Sequence, residues 1–311
     1  MKHVLTIQDL MGEEINALIR RARSLKRELK AGRTRNDLKG RTLAMIFSKP
    51  STRTRVSFEV AMTQLGGHAI YLGWNDLQLG RGETIADTAR TLSRYVDCVA
   101  ARLFKHREIE ELAEHSTVPV INALTDLHHP CQTLADLMTI EEHKGKLKDV
   151  KVAWVGDGNN VCNSILLGCT LVGSDISVAC PKGYEPPSHI VSTAMDNSKR
   201  SGSSVKITNE PLVAVRDADV VYTDVFVSMG MEAERERRMQ DFRGFQVTPE
   251  LMNAAEEDAI FMHCLPARRG EEVSAEVIDG RWSVVWDQAE NRLHAQKALL
   301  LKLIGRATKA A

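Results

Sequence analysis

The sequence predicts an α/β protein of two domains, each with a parallel sheet flanked by helices. Three observations carry that expectation. The chain has 311 residues, room for about two domains at ~150 residues each. Short apolar segments alternate with stretches of helical periodicity along most of the length, the pattern of β–α–β units. Near mid-chain, EEHKGKLKD at 141–149 is charged, carries Gly145 and precedes a fresh strand, as a domain joint would.

Thr6 is a plausible N-cap, with Asp9 three residues on as a capping-box partner. Leu10, Ile15, Leu18, Ile19, Ala22 and Leu25 then keep close to helical spacing, and basic residues crowd the end of that helix, where its dipole favours them. Strands are expected at 41–47, 69–72, 98–102, 118–122, 151–155, 175–179, 205–208, 219–223, 260–263 and 283–286. Helical patterns fill most gaps. The last stretch, 291–304, reads as a helix whose apolar residues can pack on either half.

Composition narrows the function. Lys+Arg is 41 and Asp+Glu is 41, giving a net charge of +0 and a pI near 7.1. A nucleic-acid protein would carry a basic excess. No apolar run approaches the ~18 residues of a membrane helix, and the first residues place acids where a signal peptide has its apolar core. Six cysteines, with no Cys-x-x-Cys pair, point to thiols in a reducing cytoplasm.

Five motifs carry chemistry, and all lie at the carboxyl end of an expected strand or the start of the next helix. SKPSTRTRVSFE at 48–59 puts hydroxyls and two arginines on a helix start. The first helix amides are unpaired and partly positive, Ser51, Thr52 and Thr54 add hydroxyl donors, and Arg53 adds a bidentate fork, so this turn suits a phosphate. The alternative is a plain capped helix with solvated arginines.

LHHPCQ at 127–132 opens a helix expected over 133–143, or from Pro130, a favoured first-turn residue. His129 and Gln132 can then meet a ligand at that end, His129 by polarising a carbonyl. His128, His129 and Cys131 invite a metal, but no second close pair completes a tetrahedral set. WVGDGNNVCNS at 154–164 resembles half of a dinucleotide fingerprint. Val161 breaks the Gly-x-Gly-x-x-Gly pattern and no acid ends the next strand, which speaks against a nicotinamide cofactor. Its glycines still let the backbone approach a ligand closely, and Asn159 and Asn160 can reach outward.

TDVFVSMG at 223–230 places Asp224 to meet a cation, or merely to form a turn. The charged run 232–238 reads as a solvated helix face. In MHCLPAR at 262–268, Cys264 ends a buried strand, and His263 should face the other way. That favours a polar contact over covalent catalysis, with a buried inert thiol as the alternative.

Together, STRTR at 51–55, LGRGE at 79–83, HPCQ at 129–132, GDGNN at 156–160, DVFVSMG at 224–230 and HCLP at 263–266 resemble the aspartate/ornithine carbamoyltransferase family over nearly the whole chain. DVFVSMG with HCLP points to its ornithine branch. The resemblance implies a carbamoyl phosphate domain at 1–145, joined by a C-terminal helix at 289–311 that crosses back to it. It implies an ornithine domain at 146–288, an active site between the two, and trimers or assemblies of trimers.

The roles carried over from the resemblance are these. Ser51, Thr52, Arg53 and Thr54 hold the phosphate, with Gln78 reaching the same site from a loop. Arg102, His129 and Gln132 contact the carbamoyl group, with Pro130 and Cys131 in the same motif. Arg292 completes that site. Asn160, Asp224, Ser228 and Met229 bind L-ornithine, and Cys264 and Leu265 line the carbamoyl and amine site. Arg102, His129, Asp224 and Cys264 are the catalytic set. The implied reaction is direct carbamoyl transfer from carbamoyl phosphate to ornithine, giving citrulline and phosphate, with no metal or cofactor. It serves arginine biosynthesis or, reversed, arginine catabolism. A related amine such as putrescine is the alternative acceptor.

Overall fold

The computed structural model describes residues 3–228 and 230–305. By its internal contacts the chain divides into two compact units, one formed by Met1–Ala135 with Glu290–Ala311, the other by Asp136–Ala289.

In the first unit, Thr6 caps a single 3-10 turn, Ile7–Asp9, and the Asp9 carboxylate returns to the Thr6 amide. Helix α1 (Gly12–Lys30) starts separately, with Glu14 accepting from the Met11 amide. Alternation then proceeds through β1 (Thr42–Phe47), α2 (Thr52–Gln64), β2 (His68–Gly73), α3 (Ile85–Leu92), β3 (Cys98–Arg102), α4 (His106–His115), β4 (Val120–Leu124) and α5 (Pro130–Lys144), whose residues from Asp136 on count with the second unit. The four strands form a parallel sheet in the order β2-β1-β3-β4. Val4 adds one parallel bridge beside β4, opposite Ile121.

In the second unit come β5 (Lys151–Val155), α6 (Asn160–Val172), β6 (Asp175–Ala179), α7 (Ser188–Ser201), β7 (Val205–Thr208), α8 (Pro211–Val215) and β8 (Val220–Thr223). They are followed by α9 (Arg235–Asp241), α10 (Pro249–Met252), β9 (Ile260–His263), α11 (Ala275–Ile278) and α12 (Val285–Ile304), whose residues from Glu290 on count with the first unit. The sheet order is β7-β6-β5-β8-β9, again all parallel.

Central strands read as unbroken apolar runs because helices cover both faces; Leu43, Ala44, Met45 and Ile46 of β1 are fully buried. At the sheet edge, β2 alternates instead, and Ile70 is exposed. No helix among the described residues is long and apolar enough to cross a membrane.

The expected strand at 283–286 is not one. Phe261 donates to the Trp282 carbonyl and Val284 donates to the Phe261 carbonyl, giving a single bridge at Ser283. The Gln288 amide then bonds the Val284 carbonyl, so Val285 and Trp286 open α12. Branched and aromatic residues favoured a strand locally, and the helix that begins there overrode them.

Each sheet has one topological switch point, where successive connections leave in opposite directions along the sheet. In the first it lies between β1 and β3, in the second between β5 and β8. Ile46 lies on an interior strand and is fully buried. Ile46→Ala should cost about 2–5 kcal/mol of the first unit's stability, read from its urea midpoint; a change under about 1 kcal/mol would contradict this packing.

Candidate active site

The first unit's switch point gathers cations and hydroxyls. Ser51 caps α2, its hydroxyl accepting from the Thr54 amide at 3.3 Å. That cap leaves the first α2 amides and the half-buried Arg53 at the carboxyl end of β1. Arg102 ends β3, and its carbonyl accepts from both the amide and the hydroxyl of Ser48, at 2.9 and 3.0 Å.

The 127–132 motif meets the same group through α12. His129 sits at the start of α5, its carbonyl accepting from the Gln132 amide at 3.0 Å. Arg292, 3% exposed, donates to Gln132 Oε1 at 2.6 Å and to Thr54 Oγ1 at 3.0 Å. An arginine can only donate, so Gln132 must turn its oxygen towards it. Burial holds His129 well below the usual imidazole range, and the charges of Arg292, Arg102 and Arg53 add to the effect. At neutral pH it is a neutral imidazole, able to polarise a carbonyl without adding a charge.

Two expected members stand apart. Gln78 is exposed on a short 3-10 turn, Gln78–Arg81, and its side chain makes no hydrogen bond to the others. The Cys131 thiol points at the Asn122 carbonyl, 3.5 Å away, and burial pushes it up to about 12. Pro130 is simply the first residue of α5.

The second unit's switch point is of opposite character. Asp224 follows β8 and is 7% exposed. Its Oδ1 accepts from the Val225 amide at 2.8 Å and from Cys264 Sγ at 3.1 Å, and its Oδ2 accepts from Asn159 Nδ2 at 2.8 Å. Asn159 does not reach outward as expected. Its Oδ1 caps α6, accepting from the Val161 and Cys162 amides, while its amide nitrogen fixes Asp224. The signal available in the sequence was its place as the last residue before a helix.

Asn160 is half-buried one residue further on, and Ser228 is half-buried beyond β8. Met229 lies outside the described residues. Gly158 makes room for the chain itself: its amide donates to the Tyr184 carbonyl, and an added Cβ would sit 2.4 Å from the Pro186 nitrogen.

The run 232–238 is not simply a solvated face, because Arg238 is buried. Its Nη1 donates to Asp157 Oδ2 and to the Phe226 carbonyl, both at 3.0 Å, and its Nε donates to Glu234 Oε2 at 3.0 Å. It thereby ties the loop after Asp224 to the turn after β5. Burial pushes the Asp157 carboxyl up to about 6, against the opposing pull of Arg238. No local pattern set Arg238 apart from the charged residues around it.

Among the described residues, one group of three potential metal-ligand atoms lies within 4.8 Å: Asp224, His263 and Cys264. Both His263 nitrogens are committed, Nε2 to Glu272 and Nδ1 to the Leu265 amide. Two donors remain, short of the four of a structural zinc site.

Residues 2–142 match the model of the aspartate/ornithine carbamoyltransferase carbamoyl-P binding domain, and residues 148–303 match that of the Asp/Orn binding domain. The chain belongs to the aspartate/ornithine carbamoyltransferase family. It is 57% identical over 304 residues to the ornithine carbamoyltransferase of Pyrococcus horikoshii, covering 98% of this chain and 96% of that protein. It is 56% identical to that of Bacillus subtilis, covering 97% and 94%. The solved ornithine carbamoyltransferase of Pyrococcus furiosus superposes with a TM-score of 0.95 at 57% identity, covering 97% of each chain. The anabolic enzyme of Campylobacter jejuni gives 0.92 at 46%, covering 97% and 99%.

Two outcomes test this electrostatic picture of the family site. In histidine NMR titrations, His129 should stay neutral well below the ordinary imidazole range, and Arg292→Met should move its pKa upward; titration near 6.5 in the unaltered protein would contradict the geometry. Arg238→Met should strand the Asp157 carboxyl. Burial already holds that carboxyl at about 6 with Arg238 beside it, and removing the guanidinium's opposing pull raises it further, so the loss caused by the substitution grows as pH rises above about 6. Urea unfolding should show a loss of about 3 kcal/mol at pH 8 and a smaller one at pH 5; equal losses at both would reject the pairing.

Proposed function

We propose that the protein transfers the carbamoyl group of carbamoyl phosphate to the side-chain amine of L-ornithine, giving L-citrulline and phosphate. The observation that carries this reading is the division of labour between the two switch points. Arginines, hydroxyls and a neutral imidazole gather at one, and a carboxylate bonded to a thiol and an asparagine lies at the other. A dianionic acyl phosphate and a cationic amine are the substrates such a pair suits. Family membership and the names of the relatives support the same assignment.

In this reading, residues 1–145 with 289–311 bind carbamoyl phosphate, and residues 146–288 bind ornithine. Ser51, Thr52, Arg53 and Thr54 take the phosphate on the α2 amides, joined by Gln78. Gln132, oriented by Arg292, donates to the carbamoyl group, beside Pro130 and Cys131. Asn160, Asp224, Ser228 and Met229 bind ornithine, Asn160 and Met229 at its amino-acid end, and Cys264 and Leu265 line the carbamoyl and amine site.

The amine must lose a proton first, since a free alkyl ammonium has a pKa near ~10.4. Asp224 and Cys264 orient it and manage that proton. The amine nitrogen then attacks the carbamoyl carbon. Arg102 and His129 stabilise the oxyanion that develops, commonly the largest catalytic contribution. Collapse of the tetrahedral intermediate expels phosphate onto Arg53 and the α2 amides.

The protein works in our reading as a homotrimer or an assembly of trimers. The open edge of β2 and the exposed Val56, Ile70 and Phe104 support self-association of the first unit. The six thiols suit a reducing cytoplasm.

Purified protein given carbamoyl phosphate and ornithine should form citrulline, and faster than it carbamoylates putrescine; folded protein that forms none refutes the assignment. Arg53→Ala should weaken carbamoyl phosphate binding at least tenfold by calorimetry, in line with loss of a charge-assisted fork. A change within twofold would remove Arg53 from the phosphate site.

A further inference from the structure

We propose that His263 and Glu272 form a buried positioning pair that fixes the Cys264–Leu265 turn, a proposal that rests on the reading above for what that turn does. Both side chains are fully buried. His263 is the last residue of β9, and its amide and both ring nitrogens are engaged. Its amide donates to Gln288 Oε1 at 2.9 Å, and Gln288 Nε2 donates to Asp136 Oδ1 at 2.7 Å. Its Nδ1 accepts from the Leu265 amide at 2.9 Å, and its Nε2 lies 3.0 Å from Glu272 Oε1. Glu272 Oε1 also accepts from the Arg268 amide at 2.6 Å, closing the far side of the turn.

These contacts determine where the imidazole proton resides. Leu265 can only donate through its amide, so Nδ1 must be a bare acceptor and the proton must sit on Nε2. Glu272 is the acceptor that meets Nε2–H. The carboxylate thus selects the one tautomer that can hold Leu265, as second partners do for histidines elsewhere. In the other tautomer, two N–H groups would face each other across the Leu265 contact.

The held residue is a strained one. Leu265 has φ of +59°, a region unfavourable for a leucine, so the turn needs an external bond to keep it. The turn also aims Cys264 Sγ at Asp224 Oδ1, 3.1 Å away. Loss of the Nδ1 contact would therefore displace the groups that meet the amine, without touching those that meet the phosphate.

Side-chain geometry supplies the test. An asparagine places its oxygen near the histidine Nδ1 position, and a glutamine places its amide near Nε2. His263→Gln should lower kcat by about 10²-fold, the effect of an ångström-scale misplacement, while carbamoyl phosphate affinity stays within twofold. His263→Asn should recover at least tenfold of that loss. Glu272→Gln keeps an acceptor and should retain most activity, whereas Glu272→Leu should fall with His263→Gln. Equal activity of the Asn and Gln variants, or parallel loss of carbamoyl phosphate binding, overturns the proposal.

Should a variant not fold, ring-nitrogen NMR of the unaltered protein decides the matter: protonated Nε2 with bare Nδ1 at His263 supports the pair, and the reverse rejects it. Unaltered protein that makes no citrulline would sink the proposed reaction, while the tautomer measurement would still report on the pair.

Discussion

In a parallel sheet the chain must cross back over one face before each new strand, so all strands release their following loops along one edge. A gap opens there only where consecutive crossovers leave in opposite directions. Both sheets have such a point, and the chemistry-bearing residues follow it. Ser51 follows β1 and Arg102 ends β3, the strands that flank the first, and Gly156 and Asp224 follow the strands that flank the second. The Thr223 hydroxyl, donating to the Val155 carbonyl at 2.6 Å, ties the two strands of the second point together. Most other features of the sites follow from these two gaps.

What fills each gap is decided by burial. Cations placed close together raise one another's energy, and that cost is lowered by any anion that arrives. In the first unit burial keeps His129 neutral, and a further positive charge beside Arg292, Arg102 and Arg53 would add to the cost of charging it. In the second unit the carboxylate of Asp224 is satisfied by an asparagine amide, a backbone amide and a thiol, none of which carries charge. It is held in place but not neutralised, a state suited to meeting a cation.

The parts legible in the sequence were those written in neighbouring residues. Apolar runs such as 98–102 and 151–155 coincide with β3 and β5 because a strand covered on both faces needs only a short apolar run. The residues at 283–286 misled because a helix starts among branched and aromatic residues after a single strand-like bridge. Partnerships distant in sequence were not legible. Nothing near Gln132 announces Arg292, 160 positions away, as its partner. Arg238 looked like its charged neighbours because only the folded chain sets it beside Asp157. Asn159 was visible as a polar group but not as both a helix cap and a clamp on Asp224, which depends on β5 and β8 lying side by side.

The distribution of the thiols has a consequence for handling and labelling. Five of the six cysteines are buried, and Cys264 is partly exposed. A thiolate, not a thiol, attacks an alkylating reagent, and burial drives Cys98, Cys131, Cys162 and Cys169 away from that form. A bulky maleimide or a spin label should therefore enter the native chain at one address, beside Asp224. The fold thus carries a built-in attachment point for a reporter of whether the second switch point is occupied, with no engineered cysteine.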